Sequence, residues 1–271
     1  MAHWNSYNMF VFFTDLDGTL LDHDTYDWQP ARPAIRRIQA AGHALILCTS
    51  KSLAEVASLW HSMGLADPVI VENGGAIYLP ERYFGGRLPG TVTRGGWEAI
   101  ELGAPYRDLV GALGEAAAAS GARVRGFANM DTEEVARRTG LPLETARQAH
   151  QREYDEPFLV EEGDPASLCA AIERLGYSWT RGGRFFHILR GCDKAQAVRR
   201  LTALFREQRA VERTVGLGDG LNDAGFLREA DSAWLLPSRQ LAELARLAPG
   251  ARVAPAKGPA GWAQAVEMEL A

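Results

Sequence analysis

The sequence predicts an α/β protein: a doubly wound, parallel, Rossmann-like core sheet with an α+β unit inserted into it. At both ends of the chain, short apolar runs alternate with amphipathic stretches of helical spacing. This is the pattern of a parallel sheet covered by helices on both faces. The middle of the chain is rich in glycine, arginine and glutamate and loses that alternation. The length of 271 residues also exceeds what a single small domain requires.

The amino-terminal part of the chain predicts the order strand, helix, strand, helix, strand. Phe10–Thr14, Ala44–Cys48 and Val69–Glu72 are short continuous apolar runs, which are typical of strands buried on both faces. Before the third strand, apolar residues recur at helical spacing, and Ser52 and Glu55 have the spacing of a capping box. Alternating elements of this kind favour a right-handed, doubly wound sheet.

The alternation resumes at Lys194, where an amphipathic stretch predicts a helix. Further strands are predicted at Thr214–Asp219 and Ser232–Pro237, and a helix at 261–270 closes the chain. The middle of the chain predicts these elements: helices at 106–120 and 132–138, and a strand at 186–190. We therefore predict a core formed by residues 1–85 and 190–271, with a cap inserted at 86–189.

Composition and charge narrow the class of protein. The net charge of −5 at pH 7 gives no sign of the basic face that binds nucleic acid, and no apolar run approaches the length of a bilayer. The first nine residues lack the features of a signal peptide, so we expect a loose tail there. Three scattered cysteines indicate reduced core thiols. We expect a cytoplasmic protein without nucleic-acid or membrane partners, and the sequence predicts no oligomeric state.

Acidic and hydroxyl side chains follow the ends of three predicted strands. They are Asp15 and Asp17, Thr49 and Ser50, and Asp219 and Asp223. Ligands of open α/β sheets gather at the carboxyl ends of the strands, so we expect these residues to lie together. Four carboxylates at one edge repel each other unless a cation lies between them, and such oxygen ligands suit Mg²⁺. The alternative is that each acid only caps a turn or helix. The presence of both acidic pairs, Asp15 with Asp17 and Asp219 with Asp223, each after a predicted buried strand, disfavours this alternative.

Four motifs carry a resemblance to a known family: DLDGTLL, LILCTSK, CDKAQAV and GDGLND. In this order they resemble the motifs of the haloacid dehalogenase superfamily. The resemblance implies that Asp15 is a nucleophile that forms an aspartyl-phosphate, and that Asp17 protonates the leaving alcohol and then activates water. The aspartate at position 17 favours a phosphatase or phosphomutase. The pumps of this superfamily resemble one another in having threonine at the corresponding position, and its dehalogenases lack this second aspartate.

The same resemblance implies a phosphate site and a metal site. The phosphoryl oxygens would be held by Thr49, Ser50 and Lys194. Mg²⁺ would be bound by the side chains of Asp15 and Asp219 and by the backbone carbonyl of Asp17. Asp223 would bind the metal directly or through water, and the sequence leaves this point open. Phosphoryl transfer needs mainly positioning and charge stabilisation, which a divalent cation and a lysine supply.

The inserted segment resembles the large caps of this superfamily, which favour small substrates. TSK, VENGGAIYLP, REYDEPF and GGRFFHILRGCDK together resemble the mannosyl-3-phosphoglycerate phosphatases. This implies a small phosphorylated glycoside as substrate and mannosylglycerate, a compatible solute, as product. We expect Lys51 and Arg152 to pair with the substrate carboxylate, and Glu153 or Glu156 to bind sugar hydroxyls.

Further candidate substrate contacts are Asn73, Gly74, His187 and Asn222. Each candidate has a structural alternative: a tight turn at Asn73 and Gly74, a satisfied core histidine, or a solvated salt-bridging edge for the charged residues of REYDEPF. The function also keeps alternatives. They are a phosphatase of glucosyl-3-phosphoglycerate or of another small sugar phosphate, a sugar phosphomutase, and a non-enzymatic phospho-receiver module.

Overall fold

The computed structural model describes residues 9–271 of the chain. Of the predicted loose tail, residues 1–8 lie outside the described residues. Met9, the last residue assigned to that tail, is instead the first residue of a strand inside the sheet. From residue 9 onward, no helix has the length and apolar character that crossing a membrane requires.

The larger of the two sheets in the described residues has nine strands. Its order is β13 (Arg252–Val253), β12 (Ser232–Leu235), β11 (Val211–Gly218), β1 (Met9–Thr14), β2 (Ala44–Cys48), β3 (Val69–Val71), β4 (Ala76–Pro80), β6 (Trp97–Glu101) and β5 (Val92–Arg94). The first six of these strands are parallel, and the last three continue the sheet in antiparallel pairing. The predicted doubly wound α/β core is confirmed.

Helices cover both faces of this sheet. One face holds α1 (Arg32–Ala40), α2 (Leu53–Ser62) and α10 (Gly258–Glu269), and the other holds α7 (Lys194–Gln208), α8 (Ala224–Glu229) and α9 (Leu241–Leu247). Alternate side chains of β1 supply both layers: Phe12 packs in the first, and Val11 and Phe13 in the second. The strand is therefore apolar throughout, as strands buried on both faces are.

Local signals fix the starts of the two helices nearest to the candidate site. Ser52 accepts a hydrogen bond from the backbone N–H of Glu55, whose carboxylate accepts one from the N–H of Ser52, as the capping-box spacing predicts. Asp193 accepts a hydrogen bond from the backbone N–H of Gln196 and caps α7. The cap places Lys194 at the first residue of α7.

The second sheet has four antiparallel strands, and its elements follow one another without interruption. They are α3 (Tyr106–Ser120), β7 (Arg123–Gly126), α4 (Thr132–Thr139), α5 (Leu143–Ala149), β8 (Glu156–Glu162), α6 (Pro165–Arg174), β9 (Ser178–Gly182) and β10 (Phe185–Leu189). The strand order is β7-β8-β10-β9, and α3 and α6 pack against one face of the sheet.

The core sheet continues past residue 86, where we predict the inserted unit to begin. β5 and β6 lie beyond that residue, yet they pair with β4 of the core sheet. The two connections between the units run side by side, because the N–H of Ala104 donates to the carbonyl of Arg190 at 3.1 Å. We therefore propose that the inserted unit spans residues 104–190.

Candidate active site

The carboxyl ends of three neighbouring parallel strands bring the predicted residues together. β1 lies between β2 and β11, with all three in parallel register. Asp15 directly follows β1, Thr49 follows β2, and Asp219 follows β11. Because parallel strands end at the same edge of a sheet, residues that are 200 positions apart become neighbours, as when Thr19 Oγ1 donates to Asp219 Oδ1 at 2.9 Å.

A buried lysine lies among the carboxylates at this edge. Lys194 Nζ is 2.7 Å from Asp15 Oδ1 and 2.6 Å from Asp223 Oδ1. One carboxylate oxygen from each of Asp15, Asp219 and Asp223 lies within 4.8 Å of the others. The three predicted acids and the predicted lysine therefore form one cluster.

The charges of this cluster are not balanced by the lysine alone. Burial and the nearby charge of Asp223 raise the pKa of Asp15 well above its ordinary value, against the opposing effect of Lys194. Burial and Asp223 likewise raise the pKa of Asp219 to about 7. Carboxylates that resist ionisation in this way fit a site for a divalent cation, whose charge removes the repulsion. The all-oxygen donor set suits a hard cation.

Backbone and hydroxyl groups hold the acids in place. The N–H groups of Asp219 and Gly220 donate to Asp223 Oδ2 at 3.1 and 2.9 Å. Gly18 has a φ of +81°, and a Cβ there would lie 2.6 Å from Asp219 Oδ2. A side chain at position 18 would thus occupy the cluster, which explains the glycine of DLDGTLL.

Asp17 lies apart from the carboxylate cluster and pairs with Lys51. Its Oδ2 is 3.0 Å from Lys51 Nζ, which is also 3.7 Å from Glu55 Oε1. Among the described residues, its Oδ1 is buried and has no hydrogen-bond partner. A buried acceptor without a partner is costly, so this oxygen is available for a proton or a ligand.

The Thr49 loop is supported by an unusual backbone. Glu72 and Asn73 have φ values of 49° and 55°, a left-handed region that non-glycine residues rarely adopt. In this conformation the N–H of Asn73 donates to the carbonyl of Thr49 at 2.9 Å, and the N–H of Glu72 donates to that of Lys51 at 3.0 Å. The predicted turn at Asn73 and Gly74 is therefore present, and it holds Thr49, Ser50 and Lys51 in position.

Comparison with known proteins identifies the family. A family model described as haloacid dehalogenase-like hydrolase matches residues 12–84. A glucosyl-3-phosphoglycerate/mannosyl-3-phosphoglycerate phosphatase of Methanococcoides burtonii is 38% identical over 270 residues, covering 96% of each chain. The chain belongs to this phosphatase family.

Two further similarities agree with this assignment. A mannosyl-3-phosphoglycerate phosphatase of Pyrococcus furiosus is 35% identical over 83% of this chain and 90% of its own. A sucrose-phosphatase of Synechocystis, solved with sucrose and phosphate, has the same fold: the TM-score is 0.63 at 14% identity, with 97% of this chain and 98% of that chain covered. The predicted superfamily is thus confirmed, and the chain is a phosphoric monoester hydrolase of a superfamily that uses a divalent metal.

In this phosphatase, REYDEPF forms the joint between the two units. Arg152 Nη2 donates to the carbonyl of Ser50 at 2.6 Å, and its Nε donates to the carbonyl of Asp155 at 2.9 Å. The carboxylate of Glu72 accepts hydrogen bonds from the N–H groups of Glu153 and Tyr154. Burial raises the pKa of Glu72 to about 7, against the opposing charge of Arg152. The Arg152 side chain is only 3% exposed, so the structure places it inside this joint.

The two glutamates of the same run have partners within the protein. Glu153 pairs with Arg94 at 2.8 Å and accepts a hydrogen bond from Tyr78 at 2.7 Å. Glu156 is buried and accepts hydrogen bonds from the Tyr106 hydroxyl and the N–H of Ala128. These contacts hold Glu153 and Glu156 within the protein, and none of them joins either glutamate to the carboxylate cluster.

Asn73, Asn222 and His187 meet around Asp155. Asn73 Nδ2 donates to Asp155 Oδ2 at 2.6 Å, and Asn222 Nδ2 donates to Asn73 Oδ1 at 3.1 Å. His187 Nδ1 is 2.8 Å from Asp155 Oδ1. Gly74 is adjacent but has another role: a Cβ there would lie 2.2 Å from the carbonyl oxygen of Asp193, so Gly74 allows the turn to pack against the start of α7.

Sequence reasoning missed Asp155, Glu72 and Thr19. Asp155 and Glu72 are buried acids in the joint between the units, and Thr19 binds Asp219. Asp155 lies inside the REYDEPF run and, like Glu156, is buried. The sequence signal that could have indicated this acid is its position three residues after Arg152, with which it can pair. Burial itself depends on Asn73 and His187, which are distant in sequence.

Proposed function

We propose that this phosphatase hydrolyses the phosphate ester of a glucosyl- or mannosyl-3-phosphoglycerate with Mg²⁺, releasing the glycosylglycerate. The proposal rests on one observation above all: a relative of that name is similar over 96% of both chains. The cluster of Asp15, Asp219, Asp223 and Lys194 supplies the chemistry that such a reaction needs. Both sugars stand in the relative's name, and the assay below decides between them.

Asp15, Asp219 and Asp223, with the backbone carbonyl of Asp17, would hold Mg²⁺. The buried carboxylates with raised pKa values support this role. When bound, the cation offsets negative charge on the phosphate and on these acids. A magnesium site with a few carboxylates and remaining water ligands is typical of phosphoryl-transfer enzymes.

The reaction would proceed in two displacements at phosphorus. One oxygen of Asp15 attacks, the bond to the glycerate oxygen breaks, and Asp17 donates a proton to that oxygen. Asp17 then accepts a proton from water, which attacks the aspartyl-phosphate and frees inorganic phosphate and the Asp15 carboxylate. The covalent step divides one difficult reaction into two easier ones, and general acid catalysis of this kind contributes ~10²–10⁴-fold. The unpartnered Oδ1 of Asp17 supports its role as the acid.

Thr49, Ser50 and Lys194 would bind the phosphoryl oxygens. Thr49 and Lys194 are buried at the sheet edge beside Asp15. Lys51, held beside Asp17, supplies positive charge near the departing group, which supports a contact with the glycerate carboxylate. Asn73, Asn222 and His187 would contribute polar groups from the joint. Four other predicted residues would support these polar groups rather than bind the substrate: Arg152, Glu153, Glu156 and Gly74.

We also propose a cytoplasmic location. The three cysteines, Cys48, Cys169 and Cys192, are free and buried in the structure. Buried free thiols suit a reducing compartment.

The test is phosphate release from four compounds with Mg²⁺, with EDTA as control. They are mannosyl-3-phosphoglycerate, glucosyl-3-phosphoglycerate, 3-phosphoglycerate and mannose-6-phosphate. We expect a strong preference for the first two and complete loss in EDTA, and the ratio of the first two identifies the sugar. Equal, weak release from all four compounds contradicts the proposed substrate. An isomeric sugar phosphate formed in place of free phosphate, in the presence of a bisphosphate, indicates a mutase.

A further inference from the structure

His187 is a buried histidine with one fixed ring nitrogen. It lies on β10 and is 6% exposed. Its Nδ1 is 2.8 and 3.1 Å from the two carboxylate oxygens of Asp155. An ionised carboxylate only accepts hydrogen bonds, so Nδ1 carries the hydrogen and donates it to Asp155.

Asp155 is itself firmly held and ionised. It has no exposure and accepts a hydrogen bond from Asn73 Nδ2 at 2.6 Å. Burial raises its pKa, but the His187 ring and the Arg152 guanidinium lower it further, so that its pKa lies below the ordinary value. A charged acceptor with this many partners fixes both the orientation of the imidazole and the nitrogen that carries hydrogen.

The other ring nitrogen, Nε2, faces the junction between the cap and the catalytic edge. It makes no hydrogen bond to any part of the chain from residue 9 onward. A Cβ built on Gly182 would lie 3.6 Å from Nε2 and 4.0 Å from Asn222 Nδ2. Asn222 lies between Asp219 and Asp223 of the catalytic cluster. The α-carbon of Gly182 therefore lies beside a space that has Nε2 on one side and Asn222 on the other, and no side chain of residue 182 fills it.

The charges around His187 favour a neutral ligand. Asp155 and Glu72 are buried acids, and Arg152 is the cation that pairs with both. Arg181, from the strand beside β10, has its guanidinium over the ring of Phe186 at 5.0 Å, and Phe186 and His187 point to opposite faces of their strand. A carboxylate here would meet the charge of Asp155, whose cation Arg152 is shared with Glu72, whereas a hydroxyl can both donate and accept.

We propose that His187 Nε2 binds a hydroxyl of the substrate's glycosyl group, and that Asp155 is the positioning residue that orients it. This assignment rests on the proposed function, and it names the atom that recognises the sugar. A buried polar group matched to a substrate hydroxyl discriminates against analogues that lack this hydroxyl, because the protein group then stays unpaired.

The test compares two substitutions that each keep one nitrogen position. His187→Asn keeps a polar group near Nδ1, and His187→Gln keeps one near Nε2. Each variant is assayed with the preferred glycosyl-3-phosphoglycerate and with 3-phosphoglycerate, which lacks only the sugar. We expect His187→Asn to lower kcat/KM for the glycosylated substrate on the order of tenfold, mainly through KM, with 3-phosphoglycerate unchanged. We expect His187→Gln to retain most of the sugar preference but to unfold at lower denaturant concentration.

The other outcomes refute the proposal in distinguishable ways. If His187→Asn keeps the wild-type preference, or lowers both substrates equally, His187 is a structural residue or contacts the glycerate. If wild-type enzyme releases phosphate from 3-phosphoglycerate but not from the glycosylated compounds, the proposed function fails and the sugar site fails with it.

The positioning role of Asp155 has a spectroscopic readout. In ¹⁵N-labelled wild-type protein, the His187 ring should carry its hydrogen on Nδ1, and Asp155→Asn should change the nitrogen that carries it. His187→Asn assigns the resonance. If the same ring nitrogen carries the hydrogen in a folded Asp155→Asn variant, Asp155 does not set the orientation of the His187 ring.

Discussion

Replacing Arg152 with methionine should weaken the joint between the two units and make stability depend on pH. The guanidinium donates to the carbonyls of Ser50 and Asp155. It also lies 3.4 Å from Asp155 Oδ2 and 3.8 Å from Glu72 Oε2. Methionine fills much of the space but leaves two buried acids without their cation. Breaking a buried pair in this way costs about 3–5 kcal/mol.

The pH dependence follows from Glu72. Its pKa is raised to about 7, first by burial, and Arg152 opposes the rise. A carboxyl whose pKa is higher in the folded than in the unfolded state stabilises the protein below its unfolded pKa of about 4.5. That stabilisation is lost as pH rises towards the folded value. Without Arg152 the folded pKa rises further, so the loss caused by Arg152→Met should be larger at pH 8 than at pH 5.5.

The assay is urea unfolding of the wild type, Arg152→Met, Glu72→Gln and the double variant at both pH values. We expect Glu72→Gln to recover part of the loss at pH 8, because it removes one unpaired charge. The control is Arg147→Met, which removes an exposed pair with Glu144 and should have no measurable effect. The reasoning is refuted if Arg152→Met unfolds like the control at both pH values. A raised KM in that stable variant would make Arg152 a substrate ligand instead.

Three further predictions concern the catalytic edge. Asp15→Asn should abolish phosphate release while circular dichroism stays unchanged; retained release would rule out the nucleophile. Lys194→Arg should lose most activity, since a planar fork does not replace a compact ammonium held between Asp15 and Asp223; wild-type rates would place the phosphate site elsewhere. Gly74→Ala should cost about 2–5 kcal/mol on urea unfolding, because its φ is +92° and the Cβ would meet a carbonyl at 2.2 Å. The matched Gly111→Ala, with open space inside a helix, should stabilise by about 0.5–1 kcal/mol; equal effects would contradict the packing argument.

The core and its motifs could be predicted because their signals are local. A strand buried on both faces is a short apolar run, and strands in parallel register bring their following residues to one edge. The meeting of Asp15 and Asp219 follows from these two facts, whereas Lys194 lies at the start of α7 and was predicted from the resemblance carried by CDKAQAV. The capping box of α2 is local for the same reason.

The continuation of the core sheet past residue 86 was not predictable in this way. β5 is only three residues long and each of its residues is exposed, so it has no buried apolar run. It joins the core sheet only through β6, which pairs with β4. Such an antiparallel extension depends on long-range pairing, and the chain between residues 86 and 104 resembles the polar insertion that follows it.

The roles of charged residues depended on partners distant in sequence. The sequence showed the charges of REYDEPF, but a buried joint and a solvated edge have the same residue types. Burial of Arg152 depends on Ser50 and Glu72, and the pairing of Lys51 depends on Asp17. These contacts join separate elements, so only the fold reveals them.

The most direct test of the account is the mass of the peptide that contains Asp15, taken from enzyme quenched in acid during turnover. The enzyme turns over mannosyl- or glucosyl-3-phosphoglycerate with Mg²⁺, and the Asp17→Asn variant is quenched in parallel. We expect one added phosphoryl group on Asp15 in the wild type. In Asp17→Asn this group should form more slowly, because the leaving alcohol is no longer protonated, and should persist once formed, because water is no longer activated. Product formation with Asp15 unmodified in both proteins, or a phosphoryl group on another residue, would contradict the account.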